Sequence, residues 1–308
     1  MCALFGWLDY RGMIPHWVLN KLTQKLANAA EERGTDATGI AYIKDSRVTI
    51  FKRPKAAHKI RFNVPNHTKC VMGHTRFATQ GDQHQNYNNH PFYGKADKAF
   101  ALAHNGVLLN DTELRWEKNL PSTHIETDSY IAVQLIEAQK MLDFSSLRSM
   151  AEDVLGNFTF TVLDEENMLW FVKGSNPLYL IHFSELGLYV YASTQTIMAK
   201  ALHKTPFSKM HFEVIDTEDG DIIQINPKGK ITRNRFQPMF VSERNGYAES
   251  KIAGLRNEYG ILLDMCGYFG VTEDEVEYLI EMGYSYDEIE AFLLNPAALD
   301  EEYYYSEL

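Results

Sequence analysis

The chain has 308 residues, 45% hydrophobic and 12% aromatic, enough to bury a core and too apolar for broad disorder. Its three cysteines, Cys2, Cys70 and Cys266, have no paired spacing, which excludes a disulfide scaffold and a Cys-rich zinc site. The formal net charge is −11, but it is unevenly placed: residues 238–308 hold 16 acidic and 3 basic side chains, a net of −13, so residues 1–237 carry +2. A basic nucleic-acid footprint is therefore not expected. No apolar run is long enough to span a bilayer, and the opening Met-Cys-Ala-Leu-Phe-Gly-Trp lacks the basic lead of a secretory signal. These features predict a cytoplasmic protein without a membrane partner.

In chain order, Cys2–Leu8 is a short apolar run and predicts a buried strand. Val18, Leu22, Leu26 and Ala29/Ala30 recur at helical spacing over Trp17–Ala30, with Gly34 as the expected stop. Strand-like runs follow at Gly39–Ile43, Val48–Lys52, Lys69–Thr75 and Ala99–His104. Helical patterns cover Asp128–Leu142 and Phe144–Val154. Further strands are expected at Phe158–Leu163, Leu169–Val172, Leu178–His182, Leu188–Ala192, His211–Ile215 and Ile222–Ile225, separated by turn signals such as Asp219-Gly220. Hairpin-like strands with helices in blocks predict an α+β fold of antiparallel sheets covered by helices. After Pro238 the pattern becomes helical: Ala248–Met265, Thr272–Met282 (with Thr272 and Glu275 as a capping box) and Ser285–Leu294. The expected organisation is a main domain over 1–237 and an acidic helical appendage over 238–308, a small bundle that packs on the main domain or binds a partner.

Several side chains could carry chemistry. If Met1 is removed, Cys2 joins a thiol and a free α-amine on one residue, a nucleophile with its own base. The plain alternative is a buried Cys in a first strand. Arg76 leaves a strand in Gly73-His74-Thr75-Arg76-Phe77-Ala78-Thr79, where a planar fork can clamp a carboxylate; a structural surface Arg is the alternative. Asn105-Gly106 offers two donors to an oxyanion, or an ordinary hairpin turn. Asp36 reads as turn chemistry, and Asp128 as a helix-start acid or a counter-charge for an ammonium. The basic stretch Lys44–Arg61 reads as a solvated edge hairpin, or as a docking surface for the acidic tail or a nucleotide-bearing partner. His74, His84, His90 and His104 lack zinc spacing, and no metal is expected.

Taken in order, these motifs resemble the class II glutamine amidotransferase domain, of the N-terminal nucleophile hydrolases. They are Cys2 with Gly6, Arg33–Ile40, Gly73–Thr79, Asn88–Pro91, His104–Gly106, Asp128-Ser129, Gly174–Leu178 and Ala192-Ser193. The resemblance implies a four-layer αββα sandwich of two antiparallel sheets between helical layers, with no cofactor. It implies that Cys2 is the nucleophile, that Asn105 and Gly106 form the oxyanion hole, that Arg76 and Asp128 bind the ends of glutamine, and that Phe77 and Thr79 line the pocket. Ala3, Phe77, Gln80 and Tyr130 depart from common family residues and bear on subfamily and pocket closure. No pyrophosphate loop or Walker loop is present, and the roughly 70 residues after the domain are too few for a synthetase. The expectation is a stand-alone glutaminase that gives ammonia to a separate acceptor enzyme. The alternatives are a free-standing γ-glutamyl amide hydrolase and a catalytically silent binding domain.

Overall fold

The computed structural model describes residues 2–237, Leu262, residues 271–282, Tyr284 and Ile289. Contacts divide the chain into two units, Met1–Met239 and Phe240–Leu308.

The first unit contains thirteen strands: β1 Ala3–Asp9, β2 Ala37–Lys44, β3 Arg47–Arg53, β4 Cys70–Arg76, β5 Phe92–Lys95, β6 Ala99–Leu108, β7 Gly156–Asp164, β8 Leu169–Lys173, β9 Tyr179–Phe183, β10 Leu188–Ala192, β11 Glu213–Ile215, β12 Asp221–Ile225 and β13 Ile231–Arg235. Its α-helices are α1 His16–Ala30, α2 Asp111–Glu117, α3 Tyr130–Gln139, α4 Phe144–Asp153 and α5 Gln195–Leu202. One sheet runs β11-β9-β10-β1-β4-β2-β3 and the other β13-β12-β8-β7-β6-β5. Every pairing is antiparallel.

Why β1, β4 and β6 read as continuous apolar runs is clear from the packing. These central strands are covered on both faces, so alternate residues enter different cores. From β1, Phe5 and Trp7 meet α1 and α5 in one cluster, while Leu4 and Leu8 lie between the sheets. From β6, Phe100 and Leu102 join Ile131, Leu135 and Leu147 of α3 and α4, while Ala101 and Ala103 lie between the sheets. Three apolar layers thus separate four structural layers, the expected αββα sandwich. Trp7 Nε1 donates to Thr23 Oγ1 at 2.8 Å, satisfying the indole where β1 crosses α1.

Sequence periodicity missed β5, α2, α5 and β13. β5 is only four residues, α2 seven and α5 eight, too short for periodicity to register. β13 is largely exposed and polar, so it carries no apolar signal. The helix expected over Asp128–Leu142 spans only Tyr130–Gln139, because Lys140 turns left-handed at φ 57°. Asp143 caps α4 by accepting from Ser146 N at 2.8 Å.

In the second unit, α6 spans Glu273–Glu281, and Thr272 and Glu275 form the expected capping box. Val276, Leu279, Leu262 and Ile289 make a small apolar cluster. The rest of the helices expected over Ala248–Met265 and Ser285–Leu294 lies outside the described residues.

Leu26 is fully buried on α1 against the first sheet. Replacing it by Ala is expected to cost about 2–5 kcal/mol, read as a lower urea midpoint with an unchanged m-value.

Candidate active site

Side-chain alternation collects the candidate residues at one end of the space between the sheets. Leu4 and Leu8 of β1, Cys70 and Met72 of β4, and Ala101 and Ala103 of β6 all face inward. Cys2, Arg76 and Asn105 share those parities. The pairing Ala3↔Thr75 carries the end of β1 alongside the end of β4, next to Arg76. Ser193 secures that end of β1: Leu4 N donates to its Oγ at 2.8 Å, and its own N–H donates to Leu4 O at 2.9 Å.

Cys2 is half-buried. Its Sγ approaches Phe77 O at 3.5 Å, and its carbonyl accepts from Arg33 Nε at 3.1 Å. Burial pushes the thiol pKa up, Asp128 adds to the rise, and Arg76 opposes it. Arg76 and Asp128 also act on each other, so the three groups form one electrostatic cluster.

Arg76 is buried rather than a surface residue. Its Nη1 donates to Asn89 Oδ1 at 2.7 Å, and its Nη2 donates to the carbonyls of Gln80 and Gly81 at 2.5 and 3.0 Å. Of the five guanidinium N–H groups, two remain for a ligand. The segment after Arg76 is held from below. Asp36 N donates to Arg76 O at 3.0 Å, and Asp36 Oδ2 accepts from Ala78 N at 2.8 Å. Gly34 lets this contact form, since a Cβ there would stand 2.4 Å from Arg76 C and 2.5 Å from Phe77 N. Gly34 is thus needed for backbone approach more than as a helix stop; α1 ends at Ala30 and a 3-10 turn, Glu31–Arg33, intervenes. Phe77 is half-buried, and Thr79 lies exposed in the following loop without a hydrogen bond to the described residues.

Asp128 does not cap α3. Its Oδ2 accepts from Leu108 N at 2.7 Å and its Oδ1 from Ser129 Oγ at 3.0 Å. Burial raises its pKa, and these donors oppose the rise. Because Ser129 Oγ–H is spent on Asp128, its oxygen accepts from His104 Nδ1 at 2.8 Å, and His74 Nε2 donates to His104 O at 2.9 Å. A polar chain therefore links β4, β6 and the start of α3. His90 packs against His74 in a tilted arrangement, 4.1 Å between centroids, and burial depresses the basicity of all three imidazoles, to about 3 for His74 and His104.

Asn105 and Gly106 lie inside β6, paired with Thr159 and Phe158, and not in a hairpin turn. Asn105 is buried, and its Nδ2 meets no acceptor among the described residues. An unpaired buried donor costs about 1–3 kcal/mol, so its retention marks a place for an acceptor to arrive. Among the described residues no three His, Cys, Asp or Glu side chains converge to hold a metal, and no helix is long and apolar enough to cross a membrane.

Residues 74–200 match the glutamine amidotransferase domain family. The chain is 29% identical over 245 residues to a glutamine–fructose-6-phosphate aminotransferase (isomerizing) of Staphylococcus aureus, covering 73% of this chain and 38% of that protein. It is 28% identical over 243 residues to the enzyme of the same name from Bacteroides thetaiotaomicron, covering 75% and 36%. Residues 74–200 thus resemble a glutamine amidotransferase domain. The fold of the chain matches that of the glutamine phosphoribosylpyrophosphate amidotransferase from B. subtilis, complexed with ADP and GMP, with a TM-score of 0.62 and 20% identity over 78% of this chain and 50% of that one. The chain thus matches well under half the length of these curated relatives.

The candidate site also uses residues to which the sequence motifs assigned no role. Asn89 holds Arg76, and Ser129 ties His104 to Asp128. Lys52, expected on a solvated edge hairpin, turns inward instead. Its Nζ donates to the carbonyls of Asn89 and Pro91 at 2.5 and 3.1 Å, and burial with Arg76 nearby lowers its pKa to about 8. The signal for Asn89 was its place in the Asn88–Pro91 motif; Lys52 had none.

The buried histidines give a pH prediction. Folded His74 and His104 titrate near 3 against an ordinary 6.5. The unfolded chain therefore binds more protons between those values, and these groups withdraw stability as pH falls through that window. His90 has no polar partner among the described residues, so His90→Phe removes one such group while keeping the ring packing. Urea midpoints measured from about pH 7 to about pH 4.5 should fall less steeply in His90→Phe than in the parent.

Proposed function

We propose that this chain hydrolyses the side-chain amide of glutamine to glutamate and ammonia, and that a separate acceptor enzyme uses the ammonia. The observation that carries this reading is the unpartnered Asn105 Nδ2, buried on the inner face of the sandwich with the parity of Cys2 and Arg76. A donor kept free of protein acceptors suits an oxygen that gains charge only during reaction.

After removal of Met1, the Cys2 α-amine is the base. Burial of Cys2 disfavours the thiolate, so attack is helped by that base at the moment of bond formation. The Cys2 sulfur adds to the amide carbon, and the carbonyl oxygen takes the electron pair under Asn105 Nδ2 and Gly106 N–H. The thiol proton passes through the amine to the leaving nitrogen, the C–N bond breaks and ammonia departs. Water then cleaves the γ-glutamyl thioester, restoring the thiol and releasing glutamate. Arg76, with two N–H groups uncommitted, receives the α-carboxylate, and Asp128 the α-ammonium. Phe77 and Thr79 border the pocket.

Ammonia release measured with glutamine as substrate tests this. Cys2→Ser is expected to abolish turnover, and an electrophilic glutamine analogue should add mass at Cys2 in the parent alone; no labelling of the parent would sink the reading. Asn105→Ala should lower kcat by about 10²–10³, roughly 3–4 kcal/mol.

A further inference from the structure

Beyond Leu102, β6 loses its neighbour on one side. β5 pairs with it only from Lys95↔Ala99 to Phe92↔Leu102, whereas β7 follows it to Leu108↔Gly156. The freed edge is put to use. His104 O accepts from His74 Nε2, and Leu108 N donates to Asp128 Oδ2. Main-chain groups alternate sides along a strand, so Gly106 N–H belongs to the same edge as these two. Gly106 has φ +143°, outside the usual strand region, so the backbone here departs from regular strand geometry although Asn105 and Gly106 still pair with Thr159 and Phe158. No side chain could stiffen this point, since a Cβ would stand 1.9 Å from Asn157 O.

Asn176 adds a side-chain restraint to this peptide. Its Nδ2 donates to Asn105 O at 3.0 Å. Asn176 is itself tied to β7: Thr159 Oγ1 donates to its carbonyl at 2.6 Å, and its N–H reaches Phe158 O at 3.4 Å. The Asn105 carbonyl and the Gly106 N–H share one planar trans peptide and point in opposite directions. Fixing the carbonyl on the β7 side therefore aims the N–H to the other side, where Asp128 and His74 also meet β6.

We infer that Asn176 is a positioning residue, which holds the Asn105–Gly106 peptide plane so that Gly106 N–H faces the oxygen that becomes negative. The inference rests on the glutaminase reading above. Asn176 does not touch glutamine. Its contribution appears only when charge develops on the oxygen, and so in kcat rather than in substrate affinity.

The test compares Asn176→Asp, which keeps the shape but puts an acceptor against the Asn105 carbonyl, with the parent and with Asn176→Gln, which retains the donor. Asn176→Asp should lose at least about tenfold in kcat with KM for glutamine held within about twofold, and Asn176→Gln should recover part of the loss. Two inhibitors separate aim from damage. The γ-aldehyde analogue of glutamate takes the Cys2 sulfur at carbon and places a tetrahedral oxygen at the donors, whereas glutamate forms no such adduct. Inhibition by the aldehyde should weaken about tenfold in Asn176→Asp while inhibition by glutamate stays unchanged. If both inhibitors weaken equally, or kcat is retained, Asn176 has no positioning role. If the parent itself releases no ammonia from glutamine, the glutaminase reading fails and this inference falls with it.

Discussion

The central strands of each sheet in the first unit are buried on both faces, and everything at the candidate site depends on that constraint. A strand with one wet face separates polar from apolar side chains. A strand covered on both sides must instead sort apolar residues between two cores. β1 sends Phe5 and Trp7 to the helices and Leu4 and Leu8 to the other sheet. The same alternation carries Cys2, Arg76 and Asn105 to the inner layer at the strand ends, where apolar packing gives way to polar groups. A one-residue slip of β1 or β4 would send Cys2 or Arg76 to the helical side. The site is thus a by-product of register, and register is secured by the packing of large side chains some distance away.

At that end the protein gathers charges, with Arg76 and Asp128 buried. The thiol of Cys2, the guanidinium of Arg76 and the carboxyl of Asp128 sense one another, and burial is the largest influence on each. Arg76 is tied on one side by Asn89 and loop carbonyls, and Asp128 by Leu108 N and Ser129. The desolvation cost is met by hydrogen bonds to neighbouring main chain, which also immobilise the groups. A preset pair of opposite charges at fixed separation suits a zwitterionic amino acid better than a neutral ligand.

Much of this was legible from residue order. The apolar runs located most of the strands, the α1 pattern located its helix, and the motif from Gly73 to Thr79 drew attention to Arg76. Other features were not legible, for identifiable reasons. β5 and α5 are too short for a period to emerge. Asn105-Gly106 has the composition of a turn but lies in a ten-residue strand, because β7 continues to pair with it. Lys52 sits in a basic stretch that looks solvated, yet it faces the Asn89 and Pro91 carbonyls. Asn89 and Asn176 lie in recognised motifs, but their partners are 13 and 71 residues away, and the motifs did not name those partners.

By itself, then, the sequence determined the alternation of strand and helix, the separation of a near-neutral body from an acidic segment, and the residue types able to do acyl-transfer chemistry. Those properties are local, set by side-chain size, charge and backbone preference over a few residues. Tertiary structure alone decided which of the polar residues are paired and which remain uncommitted. Among the described residues it left Asn105 Nδ2 without an acceptor, spent three guanidinium N–H groups of Arg76 on the protein, and turned Asp128 from a helix cap into an acceptor for Leu108 N. Hydrogen-bond satisfaction depends on what the whole fold brings within about 3 Å, and chain order does not contain that distance.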